Sequence, residues 1–381
     1  MGRHIGKALA TLGAATALVA LGAAVPVAPV VAASGSIIDL GTLGGNSSIA
    51  TELNERGQVV GWSSTAAGED HAFLWEAGTM IDLGTLGGNW SWAYEINERG
   101  QVVGESGTAS NPERAFLWEA GTMTDLGTLG GSRSWSSDLN ERGQVVGFSD
   151  TVSSLSHAFL WEAGTMTDLG TLGGDWSQAL YINNGGQVVG QSETAAGDAH
   201  AFLWAGGRMT DLGTLGGSMS CPGGINQRGQ VVGWSTTATG EQHAFLWEAG
   251  TMTDLGTLGG STSWALEINE RGQAVGYSET ASSPYHAFLW KAGTMTDLGT
   301  LGGSRSLARD INARGQIVGW SDTSSFPLPQ WHAVLWEAGA MIDLGTLGGN
   351  WSIAYEINNR GQIVGSSTTS SFRSHAVLWT R

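Results

Sequence analysis

The sequence predicts an all-β chain that forms an eight-bladed β-propeller of four-stranded blades, closed by pairing of its N-terminal and C-terminal strands. Three observations predict it. A unit of about 43 residues recurs along the chain, a length typical of propeller blades. Each unit contains four short strand patterns. The repeats begin with a fourth-strand pattern and end with a third-strand pattern.

Residues 1–33 differ in composition from all that follows. Arg3 and Lys7 give a positive start, Ala8–Val25 is almost wholly apolar, and small residues lead up to Ala33. This pattern predicts a signal peptide cleaved after Ala33, and therefore a secreted, extracellular domain over 34–381. The alternative is an uncleaved membrane anchor, because the apolar stretch is nearly long enough to span a bilayer.

The repeat is carried by two motifs. Their spacing is 43 residues at most steps and 46 at one, which leaves no room for a second domain. The heptapeptide Asp-Leu-Gly-Thr-Leu-Gly-Gly begins at Asp39, Asp82, Asp125, Asp168, Asp211, Asp254, Asp297 and Asp343. The Phe/Val-Leu-Trp motif ends at Trp75, Trp118, Trp161, Trp204, Trp247, Trp290, Trp336 and Trp379.

The second copy illustrates the unit. Runs rich in β-branched and aromatic residues alternate with Gly and Asn turns, which is typical of short antiparallel strands. The 60 Gly residues disfavour helices throughout. The predicted strands are Ala93–Asn97, Gln101–Gly104, Ala115–Trp118 and Thr122–Leu126, with a polar loop over Gly107–Glu113.

Two features favour a closed ring. Ala-Phe-Leu-Trp and Val-Val-Gly are continuous apolar runs, so both faces of each sheet must be buried. The repeats open with a fourth strand, Ile37–Leu40, and close with a third strand, Ala376–Trp379. An open stack would leave both as exposed edges. The alternative, a β-solenoid, needs polar caps that the sequence does not contain.

Three recurring motifs together resemble a known family. His-Ala-Phe-Leu-Trp, Asp-Leu-Gly-Thr-Leu-Gly-Gly and Ile-Asn-x-x-Gly-Gln-Val-Val-Gly are similar to the HAF family of extracellular repeats across nearly the whole domain. Some copies depart from the motif, with Arg114 in place of His and Val334 and Val377 in place of Phe. The resemblance implies an extracellular repeat protein without an assigned biochemical role, and it supplies no catalytic residues.

Charge and cysteine content exclude some functions. The formal net charge is −17, so the surface repels phosphate backbones and anionic membranes. We therefore expect no nucleic-acid partner and no membrane insertion after signal cleavage. The single Cys221 excludes an internal disulfide framework. Residues Cys221–Gly224 also introduce Pro and Gly into a strand, which we expect to weaken that copy.

Residues repeated in all or nearly all units are interpreted as structural. One His per unit lies too far from the next for shared metal coordination, and the Asn and Asp positions lack the clustered acids of a calcium loop. We expect a hydrogen bond from each His that closes its blade, turn roles for Asp and Asn, and no metal or cofactor. The positions are His71, His157, His200, His243, His286, His332 and His375, with Asn54, Asn97, Asn140, Asn183, Asn226, Asn269, Asn312 and Asn358.

Positions that vary on this uniform frame are the candidate ligand-binding residues. The second residue after Gly-Gly differs between copies, and one copy has a three-residue insertion within Ser324–Trp331. Exposed Trp beside Ser and Asn is a composition that stacks on sugar rings, whereas the alternative is that these Trp pack between blades. The candidates are Trp90, Trp176, Trp351, Arg133, Arg305 and Trp331.

We expect a secreted binding scaffold that is not an enzyme and that binds extracellular polysaccharide or a cell-surface protein at several sites. Similar weak sites around one face would gain from multivalency. Two alternatives remain: a purely structural envelope protein, and a glycan-acting hydrolase or lyase using acids of the variable loops. Those acids are Glu69, Asp70, Glu113, Asp198 and Glu241.

Overall fold

The computed structural model describes residues 30–32, 35–110, 112–282, 284–323 and 330–380. Within these residues every regular element is a β-strand, so the chain is all-β, as predicted. Each repeat unit forms an antiparallel sheet in which the first strand pairs with the second, the second with the third and the third with the fourth. The first strands of neighbouring units contact one another.

The strands of equivalent position have similar bounds. The first strands are β3 (Gly44–Leu53), β7 (Gly87–Ile96), β11 (Gly130–Leu139), β15 (Gly173–Ile182), β19 (Gly216–Ile225), β23 (Gly259–Ile268), β27 (Ser306–Ile311) and β31 (Gly348–Ile357). The second strands are β4 (Val59–Thr65), β8 (Val102–Thr108), β12 (Val145–Thr151), β16 (Val188–Thr194), β20 (Val231–Thr237), β24 (Ala274–Thr280), β28 (Ile317–Asp322) and β32 (Ile363–Thr369).

The two outer positions complete each sheet. The third strands are β5 (Asp70–Glu76), β9 (Glu113–Glu119), β13 (Ser156–Glu162), β17 (Ala199–Ala205), β21 (Gln242–Glu248), β25 (His286–Lys291), β29 (Trp331–Glu337) and β33 (Ser374–Thr380). The fourth strands are β6 (Thr79–Asp82), β10 (Thr122–Asp125), β14 (Thr165–Asp168), β18 (Arg208–Asp211), β22 (Thr251–Gly256), β26 (Thr294–Asp297), β30 (Ala340–Asp343) and, for the last unit, β2 (Ser36–Asp39).

The first and last units share a sheet. Strand β2 pairs antiparallel with β33, with Ser36 opposite Thr380 and Asp39 opposite Val377. Leu40 then packs in one apolar cluster with side chains of β32 and β33.

One further strand precedes the repeats. Strand β1 (Val30–Ala32) pairs parallel with β30. It falls within the predicted signal peptide, whose residues 1–29 and 33 lie outside the described residues.

The core lies between adjacent units, because neighbouring residues of one apolar run face opposite ways. Val59 packs in a cluster with Val364 and Ala376 of the last unit. Val60 packs in a different cluster with Ala93 and Phe116 of the second unit. Both faces of the sheet are therefore buried, which confirms the interpretation of the continuous apolar runs.

The first strand is longer than predicted. We expected Ala93–Asn97, whereas β7 already begins at Gly87. A β-carbon on Gly88 would overlap the backbone of Gly107 on β8, so the second Gly of the heptapeptide allows the two strands to approach closely. The heptapeptide thus leads directly into the first strand.

The expectation of a weakened strand at Cys221–Gly224 is wrong. Strand β19 runs through this segment, with Pro222 opposite Gly233 of β20. At Pro222 strand β19 pairs only with β20, the second strand of its own unit, so the missing N–H of proline breaks no ladder on its other side.

No helix among the described residues is long and apolar enough to cross a membrane.

Candidate functional site

The two ends of each unit carry different residues. The end that holds the Asn-x-x-Gly turns between first and second strands is called here the turn end. The opposite end holds the loops between second and third strands and the heptapeptide connections to the next unit, and it is called the junction end.

The repeated His residues close their own sheets at the junction end. Nδ1 of His71 lies 2.9 Å from Oδ2 of Asp82, which joins the third strand to the end of the fourth. Asp82 also accepts the N–H of Gly84 at 2.8 Å, a turn hydrogen bond. Where Arg114 replaces the His, its guanidinium lies 3.9 Å from Asp125. These contacts confirm structural roles for the repeated His and Asp.

The repeated Asn residues form what we call the turn belt. Asn97 is 3% exposed, and its side-chain oxygen accepts the N–H groups of Arg99 and Gln101 within its own turn. Its Nδ2 donates at 3.1 Å to the carbonyl of Asn140 in the next unit. The same bond to the following unit is made by Asn54, Asn140, Asn183, Asn226, Asn269 and Asn312, and by Asn358 to the carbonyl of Asn54.

The junction end brings variable residues of consecutive units together. The residue before the motif His pairs in parallel register with the second residue after Gly-Gly of the next unit, as Asp70 does with Trp90. Trp90 is half-buried, and its ring lies 4.9 Å from that of Trp92. A β-carbon on Gly107 would lie 2.8 Å from Nε1 of Trp90, so the indole covers this glycine.

Two predicted binding residues from separate sequence features meet at the junction between the seventh and eighth units. Trp331, which follows the insertion, pairs in register with Trp351. Their rings stack with centroids 6.5 Å apart and an interplanar angle of 27°, and both side chains are half-buried. This Trp331/Trp351 pair is an aromatic surface partly open to solvent.

The predicted arginines are held by acids of the neighbouring strand. Nε of Arg133 lies 3.1 Å from Asp150, and its guanidinium lies over the ring of Trp135 at 5.0 Å. Nε of Arg305 lies 2.9 Å from Asp322, whose hydrogen bond raises the pKa of the guanidinium. Each arginine is therefore neutralised by a largely buried acid of the adjacent strand.

Trp176, the remaining candidate, is half-buried. In the part of the chain that the structure describes, it makes no ring contact with another aromatic side chain. The structure thus brings Trp331 and Trp351 together, and Asp322 links Arg305 to Trp331. Trp90, Arg133 and Trp176 lie at separate junctions.

An asymmetric cluster of acids lies between the second and third units. Nε1 of Trp135 donates to Glu113 at 3.0 Å. Glu105, which is 2% exposed, lies diagonally across the ladder from Glu113 on the same face of the sheet. Burial raises the pKa of Tyr94 well above its ordinary value, and the charge of Glu105, its hydrogen bond and the charge of Glu113 raise it further.

Sequence reasoning missed a cavity lined by residues at the ends of the first strands. It has a volume of about 170 Å³. The residue two positions before each belt Asn is acidic in most units, and this acid inside an apolar strand was the available signal. The cavity is lined by Glu52, Glu95, Asp138, Tyr181, Ile182, Gly224, Ile225, Glu267 and Glu356.

One of these carboxylates also bridges two units. Asp138 accepts the N–H of Leu139 at 2.6 Å and the N–H of Ile182 in the next unit at 2.8 Å. Across the described residues, no three His, Cys, Asp or Glu side chains are grouped closely enough to hold a metal ion.

Comparison with solved structures finds β-propeller proteins among those similar to this chain. Solved structures similar to this chain include the acylaminoacyl peptidase of Pyrococcus horikoshii, at 10% identity and TM-score 0.49, covering 84% of this chain and 58% of that one. The β-propeller domain of the Trilobed protease from Pyrococcus furiosus matches at 7% identity and TM-score 0.47, covering 76% and 95%. A gluconolactonase from Xanthomonas campestris matches at 10% identity and TM-score 0.34, covering 68% and 88%. These TM-scores are all below 0.5, and the described residues of the chain are all-β.

The expectation that the chain is not an enzyme is contradicted by these comparisons, because the matched structures are mostly peptidases and a gluconolactonase. The chain spans 49 to 61% of the length of the peptidases, and identities this low define the fold alone, so none of their activities is assigned to it. No family model and no curated protein matches the chain. The resemblance to the HAF family stays a prediction.

Proposed function

We propose that the protein is a secreted β-propeller of eight blades, closed between its first and last units, that binds a neutral saccharide on the Trp331/Trp351 pair. The observation that carries the binding proposal is that pair: two stacked indoles, half-open to solvent, at the edge of a rigid sheet.

Three contacts support the closed ring. Strand β2 pairs with β33. Asn358 of the last turn donates to the carbonyl of Asn54 in the first, at the same 3.1 Å distance as between units that follow each other in sequence. Strand β3 contacts β31 as β3 contacts β7.

Deletion of residues 34–40 tests the closure. Removing the fourth strand of the last unit exposes apolar surface of β33, so the melting temperature should fall by about 10 °C or more. The matched control is Ile38→Ser, which keeps the strand and changes a side chain already 37% exposed. A deletion variant that melts with this control would contradict a closed ring.

The chemistry of the Trp331/Trp351 pair suits a neutral saccharide. Indole faces stack against the apolar C–H face of a sugar ring, and neighbouring polar groups bond its hydroxyls. Asp322 lies opposite Trp331 in the ladder and is buried and paired with Arg305, whose side chain is 34% exposed, so the guanidinium is the polar group near the rings. The net charge of −17 disfavours anionic polysaccharides.

The binding test uses substitutions that the chain itself contains at another junction. Gln242 and Thr262 occupy the positions of Trp331 and Trp351 between the fifth and sixth units. The double variant Trp331→Gln/Trp351→Thr should therefore fold, and should lose binding to a neutral polysaccharide found by depletion from a panel. The control is Met219→Thr at the fourth junction, where the side chain is 40% exposed and no Trp is its partner. Retained binding in the double variant removes this pair from the proposal.

A second candidate function is hydrolysis of a glycan, which the acids between the second and third units favour. Two carboxylates flanking one bond are the groups that glycoside hydrolysis uses, and Glu105 and Glu113 share one face of the sheet beside Trp135. Release of reducing ends from the panel should then disappear in Glu113→Gln and persist in Glu241→Gln, a change of another loop acid. Absence of release from every glycan with the unmodified protein would remove this candidate.

A further inference from the structure

The turn between the second and third strands of the eighth unit contains an exposed aromatic residue on a strained backbone. Phe372 is 73% exposed and has a φ of 59°. A bulky side chain seldom adopts this left-handed conformation, because its β-carbon approaches the backbone too closely. The N–H of Phe372 donates to the carbonyl of Thr369 at 2.9 Å, which closes the turn. The fold therefore holds a phenyl ring in solvent against its backbone preference.

Three other units make the same turn without strain. Gly68, Gly197 and Gly240 occupy the equivalent position, each with a positive φ and an N–H bond to the threonine three residues earlier. Glycine adopts this conformation freely, because it has no β-carbon. Among the described residues, Phe372 belongs to none of the apolar clusters. Neither the turn nor packing accounts for the ring, and strain of this kind concentrates at ligand-binding sites.

The residue that follows gives a second, independent observation. In the three glycine turns it is an acid, whereas the eighth unit has Arg373, which is exposed. The same turn carries the exposed hydroxyls of Ser370 and Ser371. An aromatic ring, a guanidinium and hydroxyls thus stand together on the surface of a chain of net charge −17. The acids of the glycine turns are Glu69, Asp198 and Glu241.

This turn lies next to the strand end that holds Trp351. The N–H of Trp351 donates to Oγ1 of Thr368 at 3.1 Å, and that hydroxyl donates to the carbonyl of Trp351 at 3.1 Å. The turn begins at the next residue, Thr369, and a turn of this type keeps its first and last Cα atoms within about 7 Å. Phe372 therefore stands beside the Trp331/Trp351 pair, in the same unit and at the same end of the molecule.

The turn and the pair have the same recognition chemistry. Arg305 is the guanidinium near the pair, as Arg373 is beside Phe372. An aromatic face receives the C–H groups of a sugar ring, and guanidinium N–H groups donate to its hydroxyls. Two such surfaces on neighbouring positions suit successive rings of one saccharide chain.

We propose that Phe372 and Arg373 extend the saccharide site, so that the protein binds a chain of several neutral sugar residues and not a single terminal sugar. This inference rests on the function proposed for the Trp331/Trp351 pair. One ring stacks on the pair, and a later ring of the same chain stacks on Phe372 while Arg373 donates to its hydroxyls. The closed turn fixes the phenyl ring before binding, which reduces the conformational entropy lost on association.

The test compares oligomers of increasing length, prepared by partial hydrolysis of the polysaccharide that the unmodified protein depletes from the panel. Calorimetric titration should show that the unmodified protein binds long oligomers about tenfold more tightly than the single sugar. Phe372→Gly should bind long oligomers about fivefold more weakly and the single sugar unchanged. Because glycine relieves the strain, this variant should also melt about 1–2 °C higher. Phe372→Tyr keeps the ring and should bind as the unmodified protein does.

Ser154→Gly is the matched control. Ser154 has a φ of 64° in the same turn of the third unit, so its replacement relieves a similar strain and should leave binding at every length unchanged. Equal weakening in Ser154→Gly and Phe372→Gly would assign the effect to turn flexibility and overturn the proposal. Unchanged length dependence in Phe372→Gly, or a lower melting temperature, would overturn it as well.

Two further measurements separate this proposal from the one on which it rests. Trp331→Gln/Trp351→Thr should lose oligomers of every length, and retained binding would reject the pair whatever Phe372→Gly shows. A panel from which nothing is depleted would remove both proposals. Sedimentation velocity tests the other occupant of an exposed ring: a dimer that Phe372→Gly dissociates would assign Phe372 to contact between two copies and overturn the saccharide extension.

Discussion

The turn end and the junction end of the molecule belong to the same strands but are used differently. At the turn end every unit has the same Asn, buried and bonded to its own turn and to the next unit. At the junction end the equivalent positions differ from one unit to the next, from a Trp331/Trp351 pair to Gln242 with Thr262. Uniform residues hold the units in register, and variable residues make the junctions chemically distinct.

Burial explains the difference. Asn97 is 3% exposed, so each polar group of its turn must find a partner inside the protein, and one residue type satisfies them all. Trp90 and Trp351 are half-buried, so water can hydrogen-bond the polar groups beside them that have no partner in the protein. Substitutions should therefore cost stability at the turn end and change binding at the junction end.

The largest effect on stability should come from the turn belt. Asn97→Ala removes the acceptor of the Arg99 and Gln101 N–H groups and the donor to Asn140, which leaves buried groups without partners. The free energy of unfolding should fall by about 3 kcal/mol. Urea denaturation measures it, with Arg99→Ala, an exposed side chain in the same turn, as control. Equal losses of unfolding free energy in Asn97→Ala and Arg99→Ala would contradict the proposed stabilising role of the turn belt.

A smaller effect should appear at acid pH in the seventh unit. Burial alone would raise the pKa of Asp343, but hydrogen bonds from His332 and the Gly345 N–H lower it below its ordinary value of 3.8. A carboxyl whose pKa is lower in the folded state stabilises the fold above its ordinary pKa, and that stability is lost as pH falls below about 3.8. The side chain is 33% exposed, so the contribution should stay below about 1 kcal/mol.

Unfolding free energies of the unmodified protein and of Asp343→Asn, measured between neutral and acid pH, isolate the contribution of the Asp343 carboxylate to stability. The difference between the two proteins should shrink as the pH falls. A difference that grows on acidification would show that folding does not lower the pKa of Asp343.

Completing an interrupted contact should stabilise the turn end slightly. Beside the belt, the N–H of Glu55 donates to Oε1 of Glu98, and similar bonds join most consecutive units. Ala313 has no side-chain acceptor for the N–H of Glu270. Ala313→Glu should raise the unfolding free energy by about 0.5 kcal/mol. Ala313→Lys cannot accept this hydrogen bond and should not raise the unfolding free energy. Equal increases in the two variants would show that the added hydrogen bond is not the cause.

The smallest effect on stability should come from a transplanted junction. At the fourth junction, Thr236 accepts the N–H of Met219 as Thr368 accepts that of Trp351. Ala199→Trp/Met219→Trp therefore copies the Trp331/Trp351 pair into a matched frame. Stability should change by less than about 0.5 kcal/mol, and the stoichiometry of saccharide binding should rise by one site. Unchanged stoichiometry would mean that paired Trp alone do not make the site.

Sequence reasoning succeeded where the chemistry of a residue is local. The turn roles of Asn97 and Asp82, the His71 contact and the burial of both sheet faces follow from motifs a few residues long that recur in all or nearly all units. It failed at Pro222, because whether a proline breaks a strand depends on which side of the strand is paired.

What the sequence by itself determined is the all-β unit, its four strands and the period at which it recurs, since hydrophobic pattern and turn residues act over short distances. Tertiary structure alone decided which residues of different units meet. The contact of Trp331 with Trp351, and the cavity shared by Glu95, Tyr181 and Glu267, join residues whose separation in space depends on how successive sheets are rotated relative to one another. That rotation is set by packing between whole sheets, which no single unit encodes.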